Sequence, residues 1–243
     1  MHDAVTFPDA PNPGADAEAT RAFVGWMLER FERFDTVLTT SFGMEGCALI
    51  DLVASHRRPL EIWYLDTGFF FPETLALRDR MIARYPHLRF VDRGTELSPA
   101  LQAELFGDLL WQTDPDLCCH LRKVTPMRNA LREADVWITA ITRSQSPERA
   151  AAPLIGWDAG YQVLKINPLI DWDRARVWDY VRAHEVPHNP LHERGYSTIG
   201  CTHCTRPIAG LSPADYSRDG RWSTFAKTEC GLHGPVPLTP RPE

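Results

Sequence analysis

Short β-rich runs alternate with helical patterns along most of this chain, and no other feature restricts its fold as strongly. The runs Thr36–Thr40, Glu61–Leu65, Leu88–Val91, Val136–Ala140 and Val163–Ile166 read as strands. Around them, about Asp16–Phe34, Glu45–His56, Pro72–Tyr85, Pro126–Ala134 and Asp173–His184 read as helices. In the first helix, Phe23, Met27, Leu28 and Phe31 recur at helical spacing and give a core-facing stripe. Thr125 followed by Pro126 predicts an N-cap and a first-turn proline. This alternation predicts an α/β fold, a parallel twisted sheet with helices on both faces. Ligands of such sheets sit at the carboxyl ends of the strands, so the residues just after each strand should carry function.

A chain of 243 residues can bury a full core. The expected parts are a mobile N-terminal segment over 1–15, an α/β domain over 16–208 and a C-terminal arm over 209–243. The Pro-rich tail Gly234–Glu243 is expected to be mobile as well. A net charge of -6 argues against a protein that coats nucleic acid, because non-specific phosphate binding needs a basic surface. No apolar run is long enough to span a bilayer, and Met1–Thr20 lacks a basic region followed by an apolar one. A cytoplasmic protein without a membrane partner is expected. Cytoplasmic thiols stay reduced, so six cysteines suggest metal binding or catalysis before disulfides.

After the first strand, Thr39-Thr40-Ser41-Phe42-Gly43-Met44-Glu45-Gly46 leads into a helix. Its hydroxyls, its glycines and the free amides of the helix start suit an anion, although a tight capped turn would read the same way. It is not a Walker A loop, since no Gly-Lys-Ser/Thr follows. The second strand ends in Leu65-Asp66-Thr67-Gly68, with Phe71-Pro72-Glu73-Thr74 at the next helix start. Two such loops at one sheet edge favour a nucleotide pocket.

Cys118 and Cys119 are adjacent, and Cys201-Thr202-His203-Cys204 is a CxxC. The four together suggest one metal site. Spacing leaves a zinc site and a 4Fe-4S cluster both open, with a vicinal disulfide or a redox CxxC as further readings. Arg122 and Lys123 fall four residues after the pair and would face it on a helix, partly neutralising thiolates. Cys47 lies in an apolar helical run and reads as a small buried hydrophobe. Cys230 lies outside any periodic segment, and Arg221, Lys227 and His233 nearby would favour its thiolate, the form that acts as a nucleophile.

Taken in order, these motifs resemble the assimilatory sulfonucleotide reductases, and within them the iron–sulfur branch of adenylyl-sulfate (APS) reductases. The resemblance rests on Ser41-Phe42-Gly43, the Leu65–Gly68 and Phe71–Thr74 runs, Cys118-Cys119 with Arg122-Lys123-Val124, and Gln145-Ser146-Pro147. Cys201-Thr202-His203-Cys204 and Glu229-Cys230-Gly231-Leu232-His233 complete it, so that it runs from about Ser41 to His233. It implies an adenine nucleotide α-hydrolase-like fold and one 4Fe-4S cluster on Cys118, Cys119, Cys201 and Cys204 that organises the site without cycling its redox state. It implies reduction of APS to sulfite and AMP, in sulfate assimilation, through a sulfonate on Cys230. The electrons would come from a separate reduced thioredoxin or similar dithiol protein, because only ten residues follow His233.

Substrate contacts are expected from Ser41, Gly43, Leu65, Asp66, Lys123, Arg143, Arg149, Arg218, Arg221 and His233. The arginines and the lysine are candidates by position for the phosphate and sulfate, with Arg149 and Arg221 the strongest. The chain departs from the family at Thr142, where an arginine is frequent, at Ala140 in place of a glycine, and at Trp222-Ser223, where a tryptophan run is shortened. No residue excludes a 3′-phosphate, so a PAPS-using or dual-specificity reductase is the alternative. A different class, a zinc-stabilised nucleotide-binding module, would be colourless and independent of Cys230. A tRNA-thiolating enzyme would need an ATP-splitting loop and a basic surface, and the chain has neither. A homo-oligomer is compatible with the chain, and the sequence does not select the state.

Overall fold

The parallel part of the sheet begins at Thr36–Thr40, and every later parallel strand is laid down around that run. A computed structural model describes residues 2–223, 227 and 229–233; the tail Gly234–Glu243 and Thr228 lie outside the described residues. Strands β1 (His2–Ala4), β2 (Thr36–Thr40), β3 (Glu61–Tyr64), β4 (Arg89–Asp92), β5 (Val136–Ile138), β6 (Ile155–Asp158) and β7 (Val163–Ile166) form one sheet. Its order is β1-β6-β7-β5-β2-β3-β4. Strands β7, β5, β2, β3 and β4 pair in parallel, while β6 pairs antiparallel with β7 and with β1. The parallel strands fall where the sequence predicts them, and the two antiparallel ones extend the sheet beyond that expectation.

Alternation along the strands divides the core between two faces. Leu38, Ile62, Ile138 and Ile166 pack on one face against α1 (Ala17–Arg30), α2 (Met44–Ala54), α3 (Pro72–Arg84) and α8 (Arg174–Ala183). Their neighbours Val37, Trp63, Trp137 and Val163 pack on the other face with Met127, Ala130 and Leu131. The stripe of α1 is buried as its spacing predicts, Phe23 and Met27 completely. Asp16 caps this helix by accepting from the amides of Glu18 and Ala19, both at 2.9 Å. Among the described residues no helix is long and apolar enough to cross a membrane.

One expectation is corrected, and the N-terminal segment holds more structure than its composition indicates. Within that segment, expected to be mobile, β1 pairs with β6, and Phe7 packs edge-on against Trp26 and Phe31 at 5.7 and 5.6 Å. The exposed hydrogen-bonding edge of β6 supplies the partner that composition does not reveal. Gly156 permits that pairing, since a Cβ there would lie 2.6 Å from Pro153 and 3.0 Å from the Asp3 carbonyl.

The corrected expectation concerns Thr125, which is no N-cap. After α4 (Pro99–Phe106) and α5 (Leu110–Thr113), α6 (Pro115–Cys119) runs through a π turn (His120–Val124) directly into α7 (Thr125–Ala130). Pro126 cannot donate and would crowd the preceding turn, and the wider π turn accommodates it without ending the helix.

Candidate active site

Strand order reverses around β2, which has β3 on one side and the later β5 on the other. The carboxyl ends of these strands border a cavity of about 210 Å³, lined by Thr39 and Thr40, by Leu65 and Thr67, and by Thr139–Ile141. The loop after β2 is tightly held: the Phe42 amide donates to Thr40 Oγ1 at 2.9 Å, and Phe42 itself is left-handed, with φ 58°. Such backbone strain in a buried aromatic persists only where its surroundings impose it. Gly43 then starts α2 without a side-chain hydrogen bond, which leaves the first-turn amides of Met44, Glu45 and Gly46 beside the cavity.

A buried ion pair braces this turn. Arg174 Nη1 donates to Glu45 Oε1 at 2.9 Å, Nη2 donates to the Ser197 carbonyl at 2.9 Å, and Nε donates to the Pro213 carbonyl at 3.0 Å. His192 lies against the same arginine, and its Nδ1 donates to the Tyr196 carbonyl at 2.7 Å. Burial, with the Arg174 charge added, pushes the His192 pKa down to about 4. The ring is therefore neutral near neutral pH.

Besides Arg174, three arginines and a lysine border the cavity. Arg149, on a short turn after β5, donates to Gln145 Oε1, and its Nη2 donates to Glu229 Oε2 at 3.0 Å. Arg218 Nη2 reaches the same oxygen at 3.3 Å. Arg221 Nε donates to the Cys204 carbonyl at 3.2 Å, and its guanidinium lies over Trp222 at 4.4 Å and against Gly200. A Cβ at Gly200 would sit 2.5 Å from Arg221 Nη2, so only glycine admits this approach. Burial is the strongest single influence on Lys123 and opposes its charge, yet Cys201, Cys119 and Cys230 together hold its pKa above the lysine range.

The four cysteines border one enclosed space below this cavity, with Phe69, Trp111, Arg122 and His203. The loop after β3 packs against the distant CxxC: the Thr202 amide donates to the Phe69 carbonyl at 2.9 Å, and Thr67 Oγ1 lies 3.4 Å from Cys201 Sγ. Burial, then the other cysteines, pushes Cys118 up to about 11, and burial above all pushes Cys119 up to about 12. Burial also opposes the Cys201 thiolate, but Lys123, Thr67 and Arg221 outweigh it and lower its pKa.

Arg122 is 1% exposed and donates only to neutral oxygens of Gln102, Thr67 and Leu97. Burial disfavours its charge, and Cys118 and Cys201, in their thiolate forms, would favour it. Four sulfur donors with two buried cations beside them suit a group that binds thiolates. No three of the described His, Cys, Asp or Glu side chains converge closely enough to hold a single metal ion. Cys47 is separate and fully buried, and burial raises its pKa to about 12, as expected of an inert hydrophobe.

Half-buried Cys230 borders the cavity. On either side of it, Lys227 pairs with Asp116, Leu232 packs on the smaller core cluster, and His233 stacks on Trp137 with centroids 5.4 Å apart.

Of the residues singled out from sequence, Ser41, Gly43, Leu65 and Lys123 border this cavity, as do Arg149, Arg218, Arg221 and His233. Asp66 and Arg143 are not among the lining residues. Asp66 accepts from the Gly68 amide at 2.8 Å and faces Arg78, while Arg143 pairs with Asp171 and the Ala152 carbonyl. Sequence reasoning missed Glu45, Arg174 and His192, which meet across 129 and 18 residues of chain. No local pattern marks such a set. Gln145 and Glu229 stood inside quoted motifs, and only the fold shows them holding arginines.

A family model described as the phosphoadenosine phosphosulfate reductase domain matches residues 35–207. An adenosine 5′-phosphosulfate reductase of Halalkalibacterium halodurans is 43% identical over 197 residues, 81% of this chain and 84% of that one. A phosphoadenosine 5′-phosphosulfate reductase of Gloeobacter violaceus is 42% identical over 200 residues, 81% of each chain. The crystal structure of a phosphoadenylyl-sulfate (PAPS) reductase from Candida auris, a phosphate complex, is similar with a TM-score of 0.65. It is 27% identical and covers 84% of this chain and 100% of its own.

Proposed function

Because the chain belongs to the phosphoadenosine phosphosulfate reductase family, we propose that it reduces APS to sulfite and AMP through a sulfonate on Cys230. The Cys230 thiolate attacks the sulfate sulfur, an S–S bond forms, the S–O bond to the phosphate breaks, and AMP leaves with the electron pair. A thiolate of a thioredoxin-type dithiol protein then attacks Cys230 Sγ, and sulfite leaves with the electrons of the S–S bond. The partner's second thiol resolves the mixed disulfide, so both reducing electrons come from the partner.

One observation carries this reading. A half-buried thiol, Arg149, Arg218, Arg221, Lys123 and a helix start without a side-chain cap meet around one cavity where the strand order reverses. The amides of α2 and the arginines would hold the phosphate and sulfate, and Lys123 would face the developing charge between thiol and leaving group. Cys118, Cys119, Cys201 and Cys204 would hold a 4Fe-4S cluster, and Arg122 and Lys123 would balance its thiolates. When bound, such a cluster would supply a fixed charge that organises the anion site. The arm over 209–243 would cover Cys230 during sulfonation and present it to the dithiol partner afterwards.

Incubating the iron-loaded protein with APS and no reductant tests the central step. Mass spectrometry should find a sulfonate on Cys230; an unmodified Cys230 alongside AMP release would refute it. The Gloeobacter relative's name favours PAPS as a second reading. Comparing kcat/KM for APS and PAPS decides between the two.

A further inference from the structure

The residue next to the nucleophile occupies the anion seat. Glu229 Oε2 accepts from Arg149 Nη2 at 3.0 Å and from Arg218 Nη2 at 3.3 Å, and Oε1 accepts from Ser146 Oγ at 3.2 Å. The three side chains are 12%, 10% and 18% exposed for Glu229, Arg149 and Arg218. A single carboxylate fills this seat incompletely. Both guanidinium groups share the Glu229 carboxylate, and among the described residues the buried Arg149 Nε has no acceptor. A phosphate or sulfate brings more oxygens and more charge to the same forks. A second anion cannot share these arginines with the Glu229 carboxylate without like-charge repulsion. Glu229 and Cys230 are consecutive, so a shift of one is felt by the other.

We infer that Glu229 is a displaceable stand-in for a substrate anion, a latch on Arg149 and Arg218 that a nucleotide phosphate or a sulfate releases while Cys230 stays at the cavity. The inference rests on the reading of the cavity as an anionic-nucleotide site. Glu229 is thus a positioning residue, acting on the reaction through the place of Cys230. Release of the Glu229 carboxylate and anion capture become one event, because both draw on the same two guanidinium groups. Lys227 with Asp116 and His233 with Trp137 limit how far the arm travels when the latch opens.

The sign of one binding change tests the latch. Titrations of iron-loaded wild type and Glu229→Gln with AMP, inorganic sulfate and adenosine give the affinities, and iodoacetamide labelling of Cys230 without ligand gives its accessibility. Removing a competing carboxylate should tighten the binding of AMP, sulfate or both by about tenfold, with adenosine unchanged. Cys230 labelling should accelerate several-fold, and Glu229→Asp should fall between. Which anion tightens identifies the group that uses these arginines. If Glu229→Gln binds both anions more weakly or no differently, Glu229 merely orients the arginines and the latch is wrong. If neither protein binds AMP, the nucleotide reading fails, and the latch fails with it.

Discussion

The sheet end of the cavity and the cysteine side are built by different means. On the sheet side, β2, β3 and β5 place Thr39, Leu65 and Thr139 by regular backbone pairing, and the residues behind them are fully buried aliphatics. On the cysteine side, a π turn, short turns, paired loops and ion pairs hold the reactive groups. The first region owes its shape to many interchangeable apolar contacts. The second depends on a few polar contacts, each of which has a specific partner. Stability and the proposed chemistry therefore draw largely on separate parts of the molecule, and mutations should separate them.

The largest effect belongs to the second region. Cys230→Ser is expected to lower dithiol-dependent sulfite formation by more than about a thousandfold, with the melting temperature unchanged. Residual turnover near wild type would remove Cys230 from the reaction. The reverse pattern is expected from Leu38→Ala in the fully buried centre of β2, which should cost about 3 kcal/mol in denaturant unfolding. The surviving folded fraction should still react with APS.

Arg149→Lys keeps the charge but loses the fork that holds Glu229 and Gln145. It should reduce kcat/KM by roughly ten- to a hundredfold with little change in stability. His192 probes the seam between the regions, enclosed with Arg174 and Glu45. Its folded pKa is about 4, against roughly 6.5 unfolded, so the unfolded chain binds more protons between these values. Stability should fall as pH drops from 7 to 5, by about 2 kcal/mol at most. His192→Gln should flatten that dependence, as urea midpoints at the two pH values would reveal. Least affected should be Arg143→Ala, because Arg143 faces Asp171 at the surface; a KM change of under about twofold is expected.

Several elements were legible from the chain. Val163–Ile166 and Thr36–Thr40 carry dense β-formers between breakers, and the α1 stripe repeats at helical spacing. β6 was hidden because Ile-Gly-Trp-Asp has too little alternation, and β1 because His-Asp-Ala has none. Pro126 misled because proline ordinarily marks a helix start, whereas here an upstream π turn absorbs it. In the site, the cysteines and Ser41, Lys123, Arg149, Arg221 and Cys230 were legible as motifs. Arg143 was displaced by its surface ion pair, which no local reading could foresee.

By itself, the sequence determined what is periodic or chemically rare. That is the order of parallel strands and helices, the core stripes, the four thiols and the isolated fifth, because backbone preference and side-chain chemistry act over a few residues. Tertiary structure alone decided the rest: the antiparallel edge, the Glu45–Arg174–His192 brace and the seat of Glu229 between two arginines. Each joins groups far apart in the chain, and their pairing gains free energy only once burial has excluded water and brought their partners within reach.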